Sequence, residues 1–462
     1  MTRPTLLKLA IAAVFAAGNA HAAVDLIAVD GLSANQPDRS TQTAGPLENG
    51  LPGNLLGGLG SGFTYAGCNT YLAIPDRGPN ATPYNAAVDD TASFINRFQT
   101  VDIALTPSAA GAALPFTATP TLVDTTLLYN EHPLAYGATT GLPAGAPALN
   151  RKHRYYFTGR SDGFDVLQPS TSPMNARLDP ESIRVSNDGR DVFVSDEYGP
   201  YIYRFDRKHG ERNGVYRLPD EFAVHHLSSK GDDEIANNSA GRVANKGMEG
   251  LAISPDGKVL FGVMQSPLLQ DGGTGGAYTR IVRIDLHTGA TQQFAYPLTN
   301  IGSASKPKYP TVSDIVAINS HEFLLDERDG KGLGDNSVAA FKRLYRIDLA
   351  GATDVSGLAG AAALAPNAVA KTLFVDLVQV LNAHGFASTD IPAKLEGVSF
   401  GPDVVVDGVR KHTLFVANDN DFLATVTDST HPAGIANPNL FFVFSVDAAD
   451  LPTYVAQKFS KK

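Results

Sequence analysis

The chain has 462 residues, 43% of them hydrophobic, with 44 Gly and 29 Pro. That is enough apolar material for a core, and the turn-forming content favours many short strands over long helices. Its single cysteine, Cys68, excludes an intramolecular disulfide and a cysteine-based metal cluster, and a formal charge of −10 argues against nucleic acid as a partner while remaining compatible with cation binding.

Arg3 and Lys8 flank an apolar run from Leu6 to Ala17, and Ala20-His21-Ala22 follows as a small-x-small sequence. This is the order of parts in a secretory leader. Residues 1–22 are therefore read as a signal peptide, and residues 23–462 as one domain that is periplasmic or secreted. Loss of Arg3 and Lys8 takes the charge from −10 to −12 (−10 − 2). No later run approaches 18 apolar residues, so no membrane span is expected.

Val24 to Val29 is a candidate strand, followed by a loose Gly/Pro/Asn-rich stretch from Leu32 to Leu59. A pattern then begins that recurs down the chain: a short strand, a tight turn and a second strand with an acidic ending. Its clearest copy is Leu178-Asp179-Pro180-Glu181-Ser182-Ile183, a turn at Asn187-Asp188-Gly189, and Val192-Phe193-Val194-Ser195-Asp196-Glu197-Tyr198-Gly199-Pro200. Further copies start at Met248-Glu249-Gly250, Ser313-Asp314-Ile315 and Leu395-Glu396-Gly397, and a weaker one at Ser61-Gly62-Phe63 leads to Asp76-Arg77-Gly78-Pro79. Phe94 to Leu105 reads as the outer strand of that weak copy, Arg154 to Gly159 as a strand, and Leu373 to Ala383 as an inserted helix. Leu440 to Asp447 closes the last copy, with the strand near residues 24–29 joining it to close a ring.

Such an internal repeat specifies a radial array, and small antiparallel sheets repeated radially form a β-propeller. The fold class is all-β. The intervals from Ser61 to Glu181, Glu249, Asp314 and Glu396 are 120, 68, 65 and 82 residues. The first is about twice the shortest, so a degenerate unit is expected within 106–175 and six four-stranded blades in all.

Superposing the copies puts Ser61, Glu181, Glu249, Asp314 and Glu396 on one register, at the start of the expected inner strands. A second register, at the end of the next strand, holds Asp76, Glu197, Gln265, Glu327 and Asp419. In a propeller both converge on one mouth of the central channel. Like charges stacked there are costly unless a cation sits among them, and oxygen ligands without histidine or cysteine suit Ca²⁺ better than Zn²⁺. Asp76, Glu181, Glu197, Glu249, Asp314, Glu327, Glu396 and Asp419 are the candidate metal ligands. Arg77, Lys246 and Arg328 each lie within three residues of a register position and are candidates to hold an anionic substrate group; they also suffice to neutralise single carboxylates. Ser195 lacks a nucleophile elbow and a neighbouring histidine, and His225 and His226 fall in a loop between units.

Leu178-Asp179-Pro180-Glu181-Ser182-Ile183, Ser195-Asp196-Glu197-Tyr198-Gly199-Pro200, Tyr203-Arg204-Phe205-Asp206, Lys246-Gly247-Met248-Glu249-Gly250-Leu251, Leu395-Glu396-Gly397-Val398 and Asp76-Arg77-Gly78-Pro79 resemble the phytase-like domain family, known for esterase-like activity of phytase. The resemblance runs from about residue 45 to 447. It implies an exported propeller that hydrolyses ester or phosphoester bonds of a small-molecule substrate, and the analogy to calcium-dependent propeller phytases implies Ca²⁺ in the channel. Ser61 and Gln265 depart from the acidic registers. The expected protein is a monomeric, calcium-assisted hydrolase. Two rivals stand beside it: a non-catalytic periplasmic propeller that binds a ligand or protein, and a lactonase-type metal propeller, to which Asn418 and Asn420 would contribute.

Overall fold

Two of the tight turns are built alike. In the first, Ser186 O accepts from Gly189 N (2.8 Å) and the Ser186 hydroxyl donates to Asp188. In the second, Ser254 O accepts from Gly257 N (2.8 Å) and the Ser254 hydroxyl donates to Asp256. Both glycines have φ near +70° (71° and 73°), a conformation that costs a side-chain-bearing residue and not glycine. The turn fixes the hairpin, and the apolar residues of both strands are left to pack sideways.

The computed structural model describes residues 24–460 apart from 80–85, 87, 90, 91 and 138–144, so the leader expected at 1–22 lies outside the described residues. Five sheets with four principal strands each form the blades. From the inside outward, blade 1 is Gly62–Tyr65, Thr70–Ile74, Arg97–Pro107 and Phe116–Leu127; blade 2 is Pro180–Val185, Asp191–Asp196, Tyr201–Asp206 and Arg212–Arg217. Blade 3 is Met248–Ile253, Val259–Met264, Tyr278–Asp285 and Thr291–Pro297; blade 4 is Thr311–Ala317, Glu322–Arg328, Lys342–Asp348 and Lys371–Asp376. Blade 5 is Lys394–Phe400, Val409–Asp419, Asn439–Asp447 and, outermost, the N-terminal strand Val24–Leu32. The N-terminal segment thus closes the ring, Val24 opposite Val446 and Leu32 opposite Asn439. No helix among the described residues is long and apolar enough to cross a membrane.

The propeller stands, with five blades among the described residues where the spacing suggested six. The long interval is taken up by the hairpin Arg97–Leu127 and by chain from 128 to 179 whose described residues hold only the two-residue strands Tyr129–Asn130 and Tyr155–Tyr156. No blade can enter between blades 1 and 2, because a Cβ on Gly62 would already stand 2.7 Å from Ser182 Cα. The inserted helix is shorter than its apolar run: Lys371–Asp376 is the outer strand of blade 4, and the helix Leu377–Ala383 begins after Asp376, which caps Gln379 N.

Five apolar clusters lie one between each pair of adjacent blades. Phe63, Tyr71, Phe415 and Phe441 join blades 5 and 1, for example, and Phe261, Phe323, Ile281 and Leu325 join blades 3 and 4. Along the axis the contact is polar. Arg184 of blade 2 donates to Phe63 O of blade 1 (2.9 Å), to both carboxylate oxygens of Asp314 in blade 4 (2.9 and 2.8 Å) and to Ile315 O (3.0 Å). Asp314 in turn accepts from Val398 N of blade 5 (2.9 Å). The C-terminal segment crosses the far end of the channel, with Val455 N on Ile318 O and the Gln457 amide on Val185 O. The end where the inner strands begin is open among the described residues.

Candidate functional site

At that open end lies a depression of about 540 Å³ whose lining includes Asp76, Arg77, Glu181, Glu197, Lys246, Glu249, Gln265, Arg328, Lys394, Glu396 and Asp419. The residues reach it for a geometric reason. Inner strands start here, and the antiparallel strands beside them end here. A bulge places one unpaired residue at the top of several inner strands: Glu249 between Met248 and Gly250, Glu396 between Leu395 and Gly397. The glycine that follows lets inner strands touch, since a Cβ on Gly250 would lie 2.7 Å from Asp314 Cα and one on Gly397 2.6 Å from Phe63 Cβ.

Six of the eight candidate ligands line this mouth; Asp314 and Glu327 do not. In blade 4 the bulged residue is Ser313, between Val312 opposite Glu327 and Asp314 opposite Asp326. The position matching Gln265 is Arg328. Both blade 4 assignments are therefore one residue out, and in a strand one residue is the difference between two faces. Asp314 is fully buried in its ion pair with Arg184. Glu327 accepts from Tyr296 Oη (2.6 Å) and Thr299 N (3.2 Å) and is paired with Lys371.

Asp179 was missing from the sequence-derived set. It precedes Glu181 by two residues, the spacing that sets alternate residues of an extended chain on one side. Ligand oxygens of Asp179, Glu181 and Glu197 lie within 4.8 Å of one another, and all three residues are buried. Asp179 accepts from Arg77 Nη1 (3.0 Å) and Arg77 N (2.9 Å), and Glu197 Oε1 accepts from Gly247 N (2.9 Å). Glu249 Oε1 accepts from Gln265 (2.7 Å), whereas its Oε2 is buried without any partner among the described residues.

The electrostatics follow from crowding in a dry place. Burial, reinforced by Asp179, pushes Glu197 up to about 8. Burial followed by Glu249 and Asp179 raises Glu181, and burial followed by Glu197 and Glu396 raises Glu249 well above the carboxylate range. Asp76 rises from burial and the nearby Asp419. Asp196 is pushed to about 7 by burial but caps Asp179 N and Tyr198 N instead of lining the mouth.

Four of the six basic residues of this lining are already engaged. Arg77 holds Asp179 and the Asn245 amide, Lys246 donates to Gln265 Oε1 (2.9 Å), and Arg328 pairs with Glu396 while donating to Ser313 Oγ (2.8 Å). Lys394, which sequence reasoning left unassigned, bridges Asp419 (2.7 Å) and Asp421. The Asn418 and Asn420 amides face backbone: Asn418 Oδ1 accepts from Leu440 N (2.6 Å) and Asn420 Oδ1 from Gly58 N (2.9 Å).

Residues 54–422 match the model of the Phytase-like family, described as esterase-like activity of phytase. The chain belongs to this family. Among curated proteins, an uncharacterized secreted protein of Arthroderma benhamiae is 30% identical over 275 residues, which is 50% of this chain and 49% of that one. The chain thus spans about half the length of the curated relative it matches. Among solved structures, the periplasmic gluconolactonase PpgL of Pseudomonas aeruginosa aligns at 11% identity and a TM-score of 0.34, over 90% of this chain and 99% of that one. A putative 6-phosphogluconolactonase of Bacteroides uniformis aligns at 13% identity and 0.31, over 91% and 98%. Alignments this loose bear on no residue of the site. The matched Phytase-like span includes every mouth residue named above, from Asp76 to Asp419.

Proposed function

We propose that this chain is an exported hydrolase of phosphoester or carboxylic ester bonds that works with a divalent cation, Ca²⁺, held at the acidic mouth. One observation carries the reading: seven carboxylates, those of Asp76, Asp179, Glu181, Glu197, Glu249, Glu396 and Asp419, are brought from four blades to one open end, where Arg77, Arg328 and Lys394 pair with carboxylates and Lys246 with the Gln265 amide. With Asp329, Asp335, Lys308 and Lys331 of the same lining counted, the formal excess is three negative charges (9 − 6). The family's description and the secreted relative support hydrolysis and export.

The residues present fit a hard cation. Asp179, Glu181 and Glu197 offer oxygen ligands within one small volume, and Glu249 Oε2 is a buried acceptor with no donor among the described residues. When bound, Ca²⁺ would supply positive charge against the ester oxygens and make a nearby water more acidic. Arg77, Lys246 and Arg328 orient the anionic group of the substrate from the same lining. Glu197, with Oε1 fixed by Gly247 N, would be held in place as one of the oxygen ligands.

The test compares calcium-loaded with chelated protein on p-nitrophenyl phosphate, its diester and short acyl esters. Equal rates would remove the cation from the reaction. Calcium-dependent stability with no turnover on any ester would favour a binding propeller instead.

A further inference from the structure

Two lysines of the mouth have no acidic partner. Lys308, on the loop between blades 3 and 4, and Lys331, on the loop between the second and third strands of blade 4, are exposed and line the same depression. Among the described residues neither ammonium has a carboxylate oxygen within 4.0 Å. The acids closest in sequence are otherwise engaged. Asp329 accepts from Lys342 Nζ and from Phe341 N, and Asp335 accepts from Ser337 Oγ.

Both lysines sit on pinned backbone. Lys308 O accepts from Ile301 N (2.8 Å), and Lys308 N donates to Asn300 Oδ1 (3.1 Å). The Lys331 loop is fastened by Leu333 N on Ile391 O (2.8 Å) and Ala393 N on Leu333 O (2.9 Å). That approach needs Gly332, whose φ is +133° and whose Cβ would fall 2.3 Å from Ile391 O. Paired charges at a strand end are satisfied by one another. Positive charges on fixed loops at the edge of the cavity, with no carboxylate within ion-pair distance among the described residues, are available to an anion brought to that opening.

Resting on the reading above, we infer that Lys308 and Lys331 are specificity-determining residues that select a substrate bearing a phosphoryl dianion over a neutral carboxylic ester. They lie on the blade 3–4 side of the mouth, whereas Asp179, Glu181 and Glu197 belong to blade 2. A substrate held by both groups would therefore lie across the opening, its phosphoryl oxygens on the lysines and a polar edge over the carboxylates.

The experiment uses the calcium-loaded full domain with Lys308→Gln/Lys331→Gln, and Lys306→Gln as a control for net charge, since Lys306 is exposed on the same loop but does not line the depression. Binding of phenylphosphonate, which carries the dianion on a bond that water does not cleave, is measured by calorimetry and is independent of turnover. The expected result is a loss of affinity of about tenfold in the double variant and no change in the control. In turnover, KM for p-nitrophenyl phosphate rises by a similar factor while that for p-nitrophenyl acetate stays put. Unchanged phosphonate affinity, an equal loss in Lys306→Gln, or no phosphonate binding by the parent protein overturns the inference even if esters are hydrolysed. Lysine-dependent phosphonate binding without hydrolysis of any ester sustains it while removing the catalytic reading.

Discussion

Arg184→Met tests the polar crossing of the channel axis. The guanidinium is 4% exposed, and its removal takes away its bonds to Phe63 O, Asp314 and Ile315 O together. It also leaves Asp314 as a buried, unpaired carboxylate. Breaking one side of a buried pair costs about 3–5 kcal/mol. Unfolding entropy is about 2.1 cal/mol/K per residue, or about 0.9 kcal/mol/K for a chain of roughly 440 residues, so Tm is expected to fall by about 3–5 °C in scanning calorimetry. The loss should be smaller at pH 5 than at pH 8, because an orphaned Asp314 takes up a proton more readily at low pH. Arg184→Met/Asp314→Asn, which removes the stranded charge, should recover most of the loss at pH 8. A shift under about one degree in the single variant, or a double variant no better than the single, would refute the idea that this pair ties the blades at the axis.

Calcium and pH should act on stability in opposite directions. Glu197 lies at about 8 when folded, against an ordinary 4.5, so its contribution is fully present below about 4.5 and is lost as pH rises through 8. The gap is worth roughly 5 kcal/mol at most. Chelated protein should therefore melt lower at pH 8.5 than at pH 6, with calcium restoring the difference at the upper end; a flat profile would contradict the crowding. Glu249→Gln replaces an acceptor that has no partner, so the chelated protein should be at least as stable as the parent while calcium affinity falls by about tenfold, read by melting against a calcium titration. Gly250→Ala forces a Cβ to 2.7 Å from Asp314 Cα and should cost about 1–3 kcal/mol in urea unfolding.

The ring and its acidic end were legible because both are periodic. Glu181, Glu249 and Glu396 recur at the same place before a small residue, and no local accident would align them. What the sequence hid was backbone geometry. A bulge adds a residue without any mark in composition, so aligning acid with acid in blade 4 chose Asp314 and Glu327, where the structure puts Ser313 in the bulge and Arg328 at the mouth. The blade count failed for a related reason: 120 residues between units equally fit two blades or one long hairpin with irregular chain, and only the contact of Gly62 with Ser182 separates them. Asp179 was visible in the motif but off the register. Lys308 and Lys331 belong to loops, which carry no repeat to align.

The N-terminal strand has a consequence in time. Val24–Leu32 is made before every other strand of the ring, yet its partner Asn439–Asp447 is made after all of them, so blade 5 stays unfinished until the ring's last strand exists. Contacts of such long separation form slowly. Until then the growing polypeptide has an unsealed circle and remains open to being handled as an extended thread.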